Sequence, residues 1–562
     1  MEEAIFSRSR LRVRSKDKRH GNCRNMWQIL MLWNAELTSV IWPFILALLM
    51  FLVTVAYFKY LNRDTHVQIH DASKKHYWSF NHPLTKSGYC SICESLLLTN
   101  RTAVCDSCGV CANVECVNQA NRKLKCKAIS LKEKGPIKHH WVKGNLPAGA
   151  VCDVCDDECG CGPGLVDWQC CWCQRAVHTA CKPQLGQMCD YGRFKNLVIP
   201  PTSVVLTTRQ HKLSRKLCLQ SVTKPEWNDW TPLIVLANQK SGNKDGGMVL
   251  ALFRHLLNPA QVIDLAEHSP EAALEWCCFL NEKGISTRLL VAGGDGTIGW
   301  VLNAVEKKNL ICAPALAIVP LGTGNDLSRV LGWGKEQPSP LDPSAVLDEV
   351  QKAEIAKLDR WKVEIKPVRH LGIRLPIRHI FMYNYLSIGV DAQIALDFHR
   401  TRESPYYLFA SRIFNKMLYL GFGTQQAVGR DCHDLNKRVE LYLDGVKADL
   451  PSIESIVVMN IPSWGAGVQL WTMGTADETV PSQNISDGKL EVVGIYSSFH
   501  IAQLQVGLSQ PYRFGQASQV KITLKSPAPI QVDGEPWLQK TSEINIHFHN
   551  QATVLKLKET VD

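Results

Sequence analysis

The sequence runs to 562 residues, longer than one hydrophobic core can organise, so about three to five domains are expected. Its 45% apolar and 20% charged content excludes a wholly disordered chain. A net charge of +11 suits anionic lipid or phosphate without demanding nucleic acid.

Residues 37–58, "LTSVIWPFILALLMFLVTVAYF", carry no charge. Helix rises ~1.5 Å per residue, so this stretch reaches ~33 Å, enough for a hydrocarbon core of ~30 Å. Trp42, Tyr57 and Tyr60 stand where interfacial aromatics do, and Lys59 and Arg63 close the end. An N-terminal membrane helix is therefore expected, in preference to a buried core helix or a cleaved signal peptide. The basic segment 1–36, with eight Lys/Arg between Arg8 and Arg24, is expected to stay cytosolic beside an anionic phospholipid surface. A single span would then carry everything after it outside. Either the segment re-enters as a hairpin at Pro43, using the earlier apolar patch Met26–Trp33, or the charge bias is overridden; both remain open.

Sixteen of the 22 cysteines lie between Cys90 and Cys189, a clustering that signals disulfides outside the cell or metal inside it. His139 is followed by Cys152-x2-Cys155, Cys170-x2-Cys173, His178, Cys181 and Cys189. Thiolate and imidazole are the ligands of tetrahedral Zn2+, and eight of them make two closed sites. A segment so poor in other apolar residues needs such staples to offset its conformational entropy. Upstream stands a weaker copy: His76, Cys90-x2-Cys93, Cys105-x2-Cys108, Cys116 and Cys126. Both copies open on His-x-Trp, at His76/Trp78 and His139/Trp141.

The pattern resembles the phorbol-ester/diacylglycerol type of zinc finger, over 76–126 and 139–189. In the second copy the resemblance implies interleaved ligands: His139, Cys170, Cys173 and Cys189 for one structural zinc, Cys152, Cys155, His178 and Cys181 for the other. Where the first copy should present its second histidine it has Asn113, a poor ligand, so that site is short of one donor unless Cys111 substitutes. Neither copy has the Pro-Thr-Phe-Cys or Gln-Gly loop features of ligand-binding fingers, and the second inserts Cys159, Cys161 and a Gly-Pro-Gly. A structural or positioning role is expected ahead of lipid sensing. Residues 190–229 read as a linker.

From Pro232 the texture becomes strand, glycine loop, helix, three times over. "PLIVLANQKSG" reads as a strand over 232–237 feeding a helix through Leu257; "TRLLVAGGDGTIGW" and "PALAIVPLGTGND" repeat the plan. Continuous apolar strands with short glycine loops predict a parallel sheet covered on both faces, an α/β catalytic lobe over 230–360, with ligands at the strands' carboxyl ends. In "GGDGT", Gly293, Gly294 and Gly296 let bare backbone N–H groups approach phosphate, and Thr297 is placed to cap the next helix. Asp295 would repel a phosphate unless Mg2+ lay between them. Residues 381–550 are strand-rich with Asp-Gly turns and read as a β-rich accessory lobe, the site lying in a cleft between lobes.

These motifs resemble the diacylglycerol kinase catalytic domain. The resemblance rests on "NQKSG" (238–242), "GGDGT" (293–297), "PLGTGNDLSRVLGWG" (320–334), "YNYLSIGVDAQIALDFHRTRE" (383–403), "SDGKLEVVGI" (486–495) and "QVDGEPW" (531–537). It implies a membrane-bound enzyme that moves the γ-phosphoryl of ATP, with Mg2+, onto diacylglycerol in the membrane to give phosphatidic acid. Gly293, Gly294, Asp295, Gly296 and Thr297 would hold nucleotide phosphates and Mg2+. Asn238, Lys240, Ser241 and Gly242 would line one side of the nucleotide, with Gly322, Thr323, Gly324 and Asn325 opposite. Asp533 would be the general base, and Asp487 would help hold a metal. On local pattern alone Asp533 is a hairpin turn residue like Asp444, and only the resemblance reverses that. Two fingers, an apolar N-terminal segment and no EF-hand loop are most similar to epsilon-type members, which implies a polyunsaturated, arachidonoyl-type acceptor and a membrane location at the endoplasmic reticulum or plasma membrane, the catalytic region cytosolic. A same-fold kinase for a sphingoid base or ceramide, and a catalytically weak zinc-finger scaffold, are the rival readings.

Overall fold

The computed structural model describes residues 45–55, 76–80, 88–97, 101–133, 135–211, 214–239, 241, 245–368, 376–403, 432–474 and 480–558. The chain divides into two units, residues 1–65 and 66–562. Of the first, residues 45–55 are described: they are helical, with their large apolar side chains exposed. Among the described residues no helix is long and apolar enough to cross a membrane. The rest of the 37–58 stretch, the basic segment and Met26–Trp33 lie outside the described residues.

In the second unit the chain from 233 alternates: β1 (Leu233–Ala237), α1 (Asp245–Leu256), β2 (Val262–Asp264), β3 (Arg288–Gly293), α2 (Asp295–Lys308), β4 (Ala315–Pro320) and α3 (Asp326–Val330). The order is β2-β1-β3-β4, every pair parallel. β1 (LIVLA) and β4 (ALAIVP) are buried at every position, which is what a sheet covered on both faces requires.

Then follow β5 (Glu354–Pro367), β6 (Arg378–Met382), β7 (Tyr385–Gly389), β8 (Val439–Leu443), β9 (Ser455–Met459), β10 (Leu490–Ile495), β11 (Tyr512–Ala517), β12 (Gln519–Leu524), β13 (Ala528–Val532), β14 (Glu535–Gln539) and β15 (Ser542–Lys556). Six of them form an antiparallel sheet in the order β11-β10-β9-β7-β13-β14. A buried cluster containing Trp361, Leu386, Val458, Ile522 and Ile544 draws side chains from this sheet and from β5, β12 and β15, so two sheets share the core of the β-rich part.

The two lobes are not separate sheets. β15 runs antiparallel to β5 from Ser542↔Pro367 to Lys556↔Glu354, with a bulge at Arg360/Trp361. On its other edge it pairs with β12 near its start and with β4 at Leu316↔Val554 near its end. The parallel sheet thus continues into a mixed sheet of ten strands. The catalytic and β-rich lobes are joined by a shared ribbon.

Residues 190–229 differ from the expected linker. Leu197, Val198 and Ile199 are buried, and Val204–His211 pairs with Ser214–Val222 as a hairpin. Asn258 on the catalytic lobe donates from Nδ2 to the Ile129 and Ile199 carbonyls at 3.0 Å each. The apolar "NLVIPP" run (196–201) carries the reason: it covers the catalytic lobe's core instead of spanning solvent.

Trp361, fully buried at the bulge, donates from Nε1 to Asn460 Oδ1 at 2.8 Å. Trp361→Phe should leave that acceptor unpaired and cost about 1–3 kcal/mol, read as a lower urea midpoint; an unchanged midpoint would show that the ribbon does not depend on this contact.

Candidate functional site

The loops after β1, β3 and β4 leave one edge of the parallel sheet together, since Ala237 registers with Ala292 and Gly293 with Pro320. The loops after β3 and β4 meet backbone to backbone. A Cβ on Gly322 would stand 2.7 Å from Gly294 Cα, and one on Gly293 would stand 2.6 Å from Thr297 Cβ. Gly322 must be glycine because no side chain fits between the loops, and Gly293 because Thr297 fills the space beside it.

Helix α2 begins earlier than expected. Gly294 is its N-cap, Asp295 its first residue, and Thr297 lies inside the first turn with its N–H donating to the Gly294 carbonyl at 2.9 Å. Thr297 is therefore not the cap; its side chain fills the space beside Gly293. The early start turns Asp295 toward α3. Its carboxylate accepts from the backbone N–H groups of Asp326 at 3.1 Å and Leu327 at 3.2 Å.

Asp533 sits in the β13–β14 turn with φ of 49°, followed by Gly534 at 85°. This is the Asp-Gly hairpin that local pattern predicts. The same residue also enters the site. Its carboxylate accepts from the backbone N–H groups of Tyr383 at 2.8 Å, Asn384 at 2.8 Å and Tyr385 at 3.1 Å. Asn384 joins the two acids, because its side-chain Nδ2 donates to Asp295 Oδ1 at 3.2 Å. Asp444, the look-alike, is exposed, and its carboxylate holds the Ser518 and Gln519 N–H groups.

Burial and the neighbouring Asp326 carboxylate push the Asp295 pKa up to about 6, against the hydrogen bonds that lower it. Asp533 is pushed up to about 7, chiefly by burial and further by Asp295, against its three backbone donors. Ionising both acids is thus opposed unless a cation joins them.

Sequence reasoning missed several residues that build this site. Asp326 is buried and accepts from Ser463 Oγ at 2.5 Å and from the Ala466 and Gly467 N–H groups, tying α3 to the β-rich part. Arg329 donates to the Gly324 carbonyl at 3.1 Å, and Glu535 faces Gly296. Arg360, nearly fully buried, donates to Glu306, Asn550 and the Tyr383 hydroxyl, fixing the backbone that holds Asp533. Asp326 and Asn384 lie within motifs already singled out, but nothing in their spacing joins them to Asp295.

Other expected residues fall differently. Asn325 is buried in the left-handed region and spends its amide on its own loop, accepting from Gly322 N–H and donating to the Gly322 and Lys335 carbonyls. It shapes the loop without facing outward. Thr323 and Gly324 complete that loop beside Asp295, with Gly324 close to its carboxylate. Asn238 and Ser241 close the β1 turn through a 2.8 Å backbone bond, while Lys240 and Gly242 lie outside the described residues. Asp487, expected to help hold a metal, accepts instead from Lys489 N–H in its own turn and joins none of the metal-competent clusters among the described residues.

Comparison with known proteins fits this arrangement. Residues 232–361 match the diacylglycerol kinase catalytic domain, 381–536 the diacylglycerol kinase accessory domain, and 139–192 the phorbol esters/diacylglycerol binding (C1) domain. Diacylglycerol kinase 2 of Arabidopsis thaliana is 32% identical over 80% of this chain and 78% of its own length. The chain belongs to the diacylglycerol kinase family. Probable diacylglycerol kinase 3 of Caenorhabditis elegans is 34% identical over 85% of this chain, which spans 64% of that relative's length. A solved diacylglycerol kinase of Bacillus anthracis str. Sterne is 16% identical, covering 58% of this chain and 98% of its own, at a TM-score of 0.32, too loose to bear on the fold.

In this family member one side of each finger packs into the kinase core. His139, Cys170, Cys173 and Cys189 form one cluster and Cys152, Cys155, His178 and Cys181 another, with ligand atoms within 4.8 Å of one another, the interleaving that the resemblance implied. His76, Cys105, Cys108 and Cys126 make a third four-ligand cluster, and Cys90, Cys93 and Cys116 stand together as three. Soft thiolates with imidazole at that spacing fit Zn2+. Cys105, Cys108, Cys126, Cys170 and Trp172 belong to the same buried cluster as Leu233, Phe253 and Val291 of the kinase. Between them Lys127, fully buried, donates to the His255 carbonyl near the end of α1 at 2.8 Å and lies 4.4 Å over the Trp172 ring. Zinc removal by a chelator should therefore lower the thermal midpoint of the kinase lobe as well as unfold the fingers. A lobe transition indifferent to chelation would separate the two.

The glycine contact gives a second expectation. Gly322→Ala should force the paired loops apart, lowering the urea midpoint and weakening titration with a fluorescent ATP analogue. Gly299→Ala, in α2 with open space at its Cβ, should instead stabilise the kinase by about 0.5–1 kcal/mol.

Proposed function

We propose that this protein phosphorylates 1,2-diacylglycerol at a membrane surface, with ATP as donor and phosphatidic acid as product, and that Asp533 is its general base. The observation that carries the reading is the pair Asp295 and Asp533, bridged by Asn384 beneath two glycine loops that meet backbone to backbone.

Mg2+ fits these residues by donor chemistry. Asp295 offers a carboxylate, and Asn384 Oδ1 is buried beside it with no hydrogen-bond partner among the described residues. Asp295 and Asn384 would hold the ion, which when bound neutralises charge on the nucleotide phosphates. Gly293, Gly294, Gly296 and Thr297 would present backbone to those phosphates, with Gly322, Thr323 and Gly324 opposite and Asn238, Lys240, Ser241 and Gly242 alongside. Asn325, Asp326 and Arg329 would set the loop shape.

A primary alcohol is a poor nucleophile, so the acceptor hydroxyl must lose its proton as it is phosphorylated. Asp533 is suited to take it: three backbone N–H groups orient its carboxylate, and burial lifts its pKa to about 7. As a base it works ionised, so the rate should rise with pH through about 7 and level off above. Below that point kcat/KM should fall about tenfold per pH unit.

The membrane enters through the acceptor, which stays in the bilayer. Tethering by the 37–58 segment would raise the effective concentration of the site at the surface, and the basic segment would add attraction to anionic lipid. The fingers, packed into the kinase core, serve structure or positioning. A polyunsaturated acceptor, and an endoplasmic reticulum or plasma membrane location with a cytosolic catalytic region, rest on the epsilon-type resemblance alone.

Incubation of membranes with labelled ATP and a panel of diacylglycerols, sphingoid bases and ceramide tests the reading. Labelled phosphatidic acid is expected, lost in Asp295→Asn and Asp533→Asn variants that remain folded by circular dichroism. Labelling only of a sphingoid base or ceramide would move the activity to that acceptor. No labelling at all would leave a scaffold, and full turnover in Asp533→Asn would return that residue to a hairpin turn.

A further inference from the structure

The two fingers differ at one equivalent corner, and the difference changes the chemistry there. In the second finger Cys152, Cys155, His178 and Cys181 close a four-ligand cluster, with His178 Nδ1 3.3 Å from Cys155 Sγ. In the first, Cys90, Cys93 and Cys116 come together without a fourth thiol or imidazole among the described residues. Cys111 does not fill the gap: it is buried and turned to the Gly109 carbonyl, 3.4 Å away.

Asn113 occupies the corner instead, but with the wrong end of its chemistry. Its amide nitrogen donates to Cys93 Sγ at 3.4 Å and to Ser95 Oγ at 2.9 Å, and its backbone N–H donates to Cys90 Sγ at 3.4 Å. These bonds spend thiolate lone pairs on an amide and supply no donor to a metal. Cys93 and Ser95 are exposed, so the open corner faces water. The site packs on a small cluster of its own, Cys90, Leu97, Cys111, Ala112 and Ala120, whereas Cys105, Cys108 and Cys126 of the neighbouring site lie in the kinase core.

We infer that Cys90, Cys93 and Cys116 form a three-thiolate zinc site whose fourth position is left to an exchangeable donor from solution, water or a small thiol. The zinc there is the labile one of four. Three thiolates still bind Zn2+, but an open position gives a competing chelator the entry that a closed tetrahedron denies. Because none of its three thiols lies in the kinase core cluster, its ion can leave with less effect on the catalytic lobe than the ions of the neighbouring sites.

The test uses the full-length protein, loaded with zinc and desalted, with the metal counted and then released into 4-(2-pyridylazo)resorcinol. Four equivalents are expected, one of them leaving at least about tenfold faster than the rest, the scale on which a lost ligand-shell contact acts. Asn113→His should slow that phase to match the others. Cys93→Ser should remove it, leaving three equivalents, and Cys111→Ser should leave both the count and the fast phase unchanged. Only three equivalents in the unaltered protein would overturn the proposal. So would release of four in a single phase, a fast phase that survives Asn113→His, or loss of zinc in Cys111→Ser.

Discussion

Bringing two half-buried carboxylates together is unfavourable, and this fold does so with Asp295 and Asp533 by surrounding each with backbone donors. Asp295 takes the amides at the start of α3, and Asp533 takes those of Tyr383, Asn384 and Tyr385. Those donors come from different lobes, so the pair exists only when both are assembled. Loss of solvent lifts both pKa values, helped by Asp326 beside Asp295 and by Asp295 beside Asp533, which makes the place receptive to a cation and leaves Asp533 basic enough to accept a proton near neutrality. Without the donors the acids would stay protonated; with too many more, Asp533 would be too weak a base.

The long β5–β15 ribbon makes that assembly rigid. One strand of it is shared between a parallel sheet, whose glycine loops carry Asp295, and a β-rich part, whose hairpin carries Asp533. Arg360 stands at its bulge and reaches Glu306 on α2 and the Tyr383 hydroxyl at once. A buried guanidinium is costly when unpaired, and here Glu306 lies on the helix that carries Asp295 while Tyr383 belongs to the backbone that holds Asp533. Relative movement of the lobes would strip Arg360 of a partner. A hinge between two independent lobes is therefore not what this architecture provides.

How much was legible in the sequence follows from which interactions are local. The strands "LIVLA" and "ALAIVP", the glycine loops and the finger ligands declare themselves through period, composition and spacing, and the structure places them accordingly. Asp533 was legible only through resemblance, because an Asp-Gly hairpin is identical in local pattern whether it faces solvent, as at Asp444, or an acid of another lobe. Asn384 and Asp326 were invisible as partners, since their bonds to Asp295 and Ser463 span 89 and 137 residues of chain. Thr297 misled because a threonine after glycines looks like a cap, whereas the backbone was free to start the helix at Asp295. The 190–229 stretch misled because its apolar residues follow no clear period, yet Phe194, Leu197, Val198, Ile199, Leu219 and Val222 join the buried cluster of the catalytic lobe.

The fingers complete the same logic. A small metal-stapled module has little core of its own, and here it borrows one: its cysteines and Trp172 join the apolar cluster that also covers α1. Lys127 supplies the polar half of that contact by satisfying the carbonyl at His255, near the helix's free end, where unpaired acceptors carry partial negative charge. Helix α1 begins just after the "NQKSG" turn, so the fingers brace one end of an element whose other end adjoins the proposed nucleotide site. Of the Cys/His clusters among the described residues, three bring four ligands together, two of them with ligands in that shared core, and the three-thiol one lies outside it. That division confines any exchange of metal to the part of the module on which the kinase depends least.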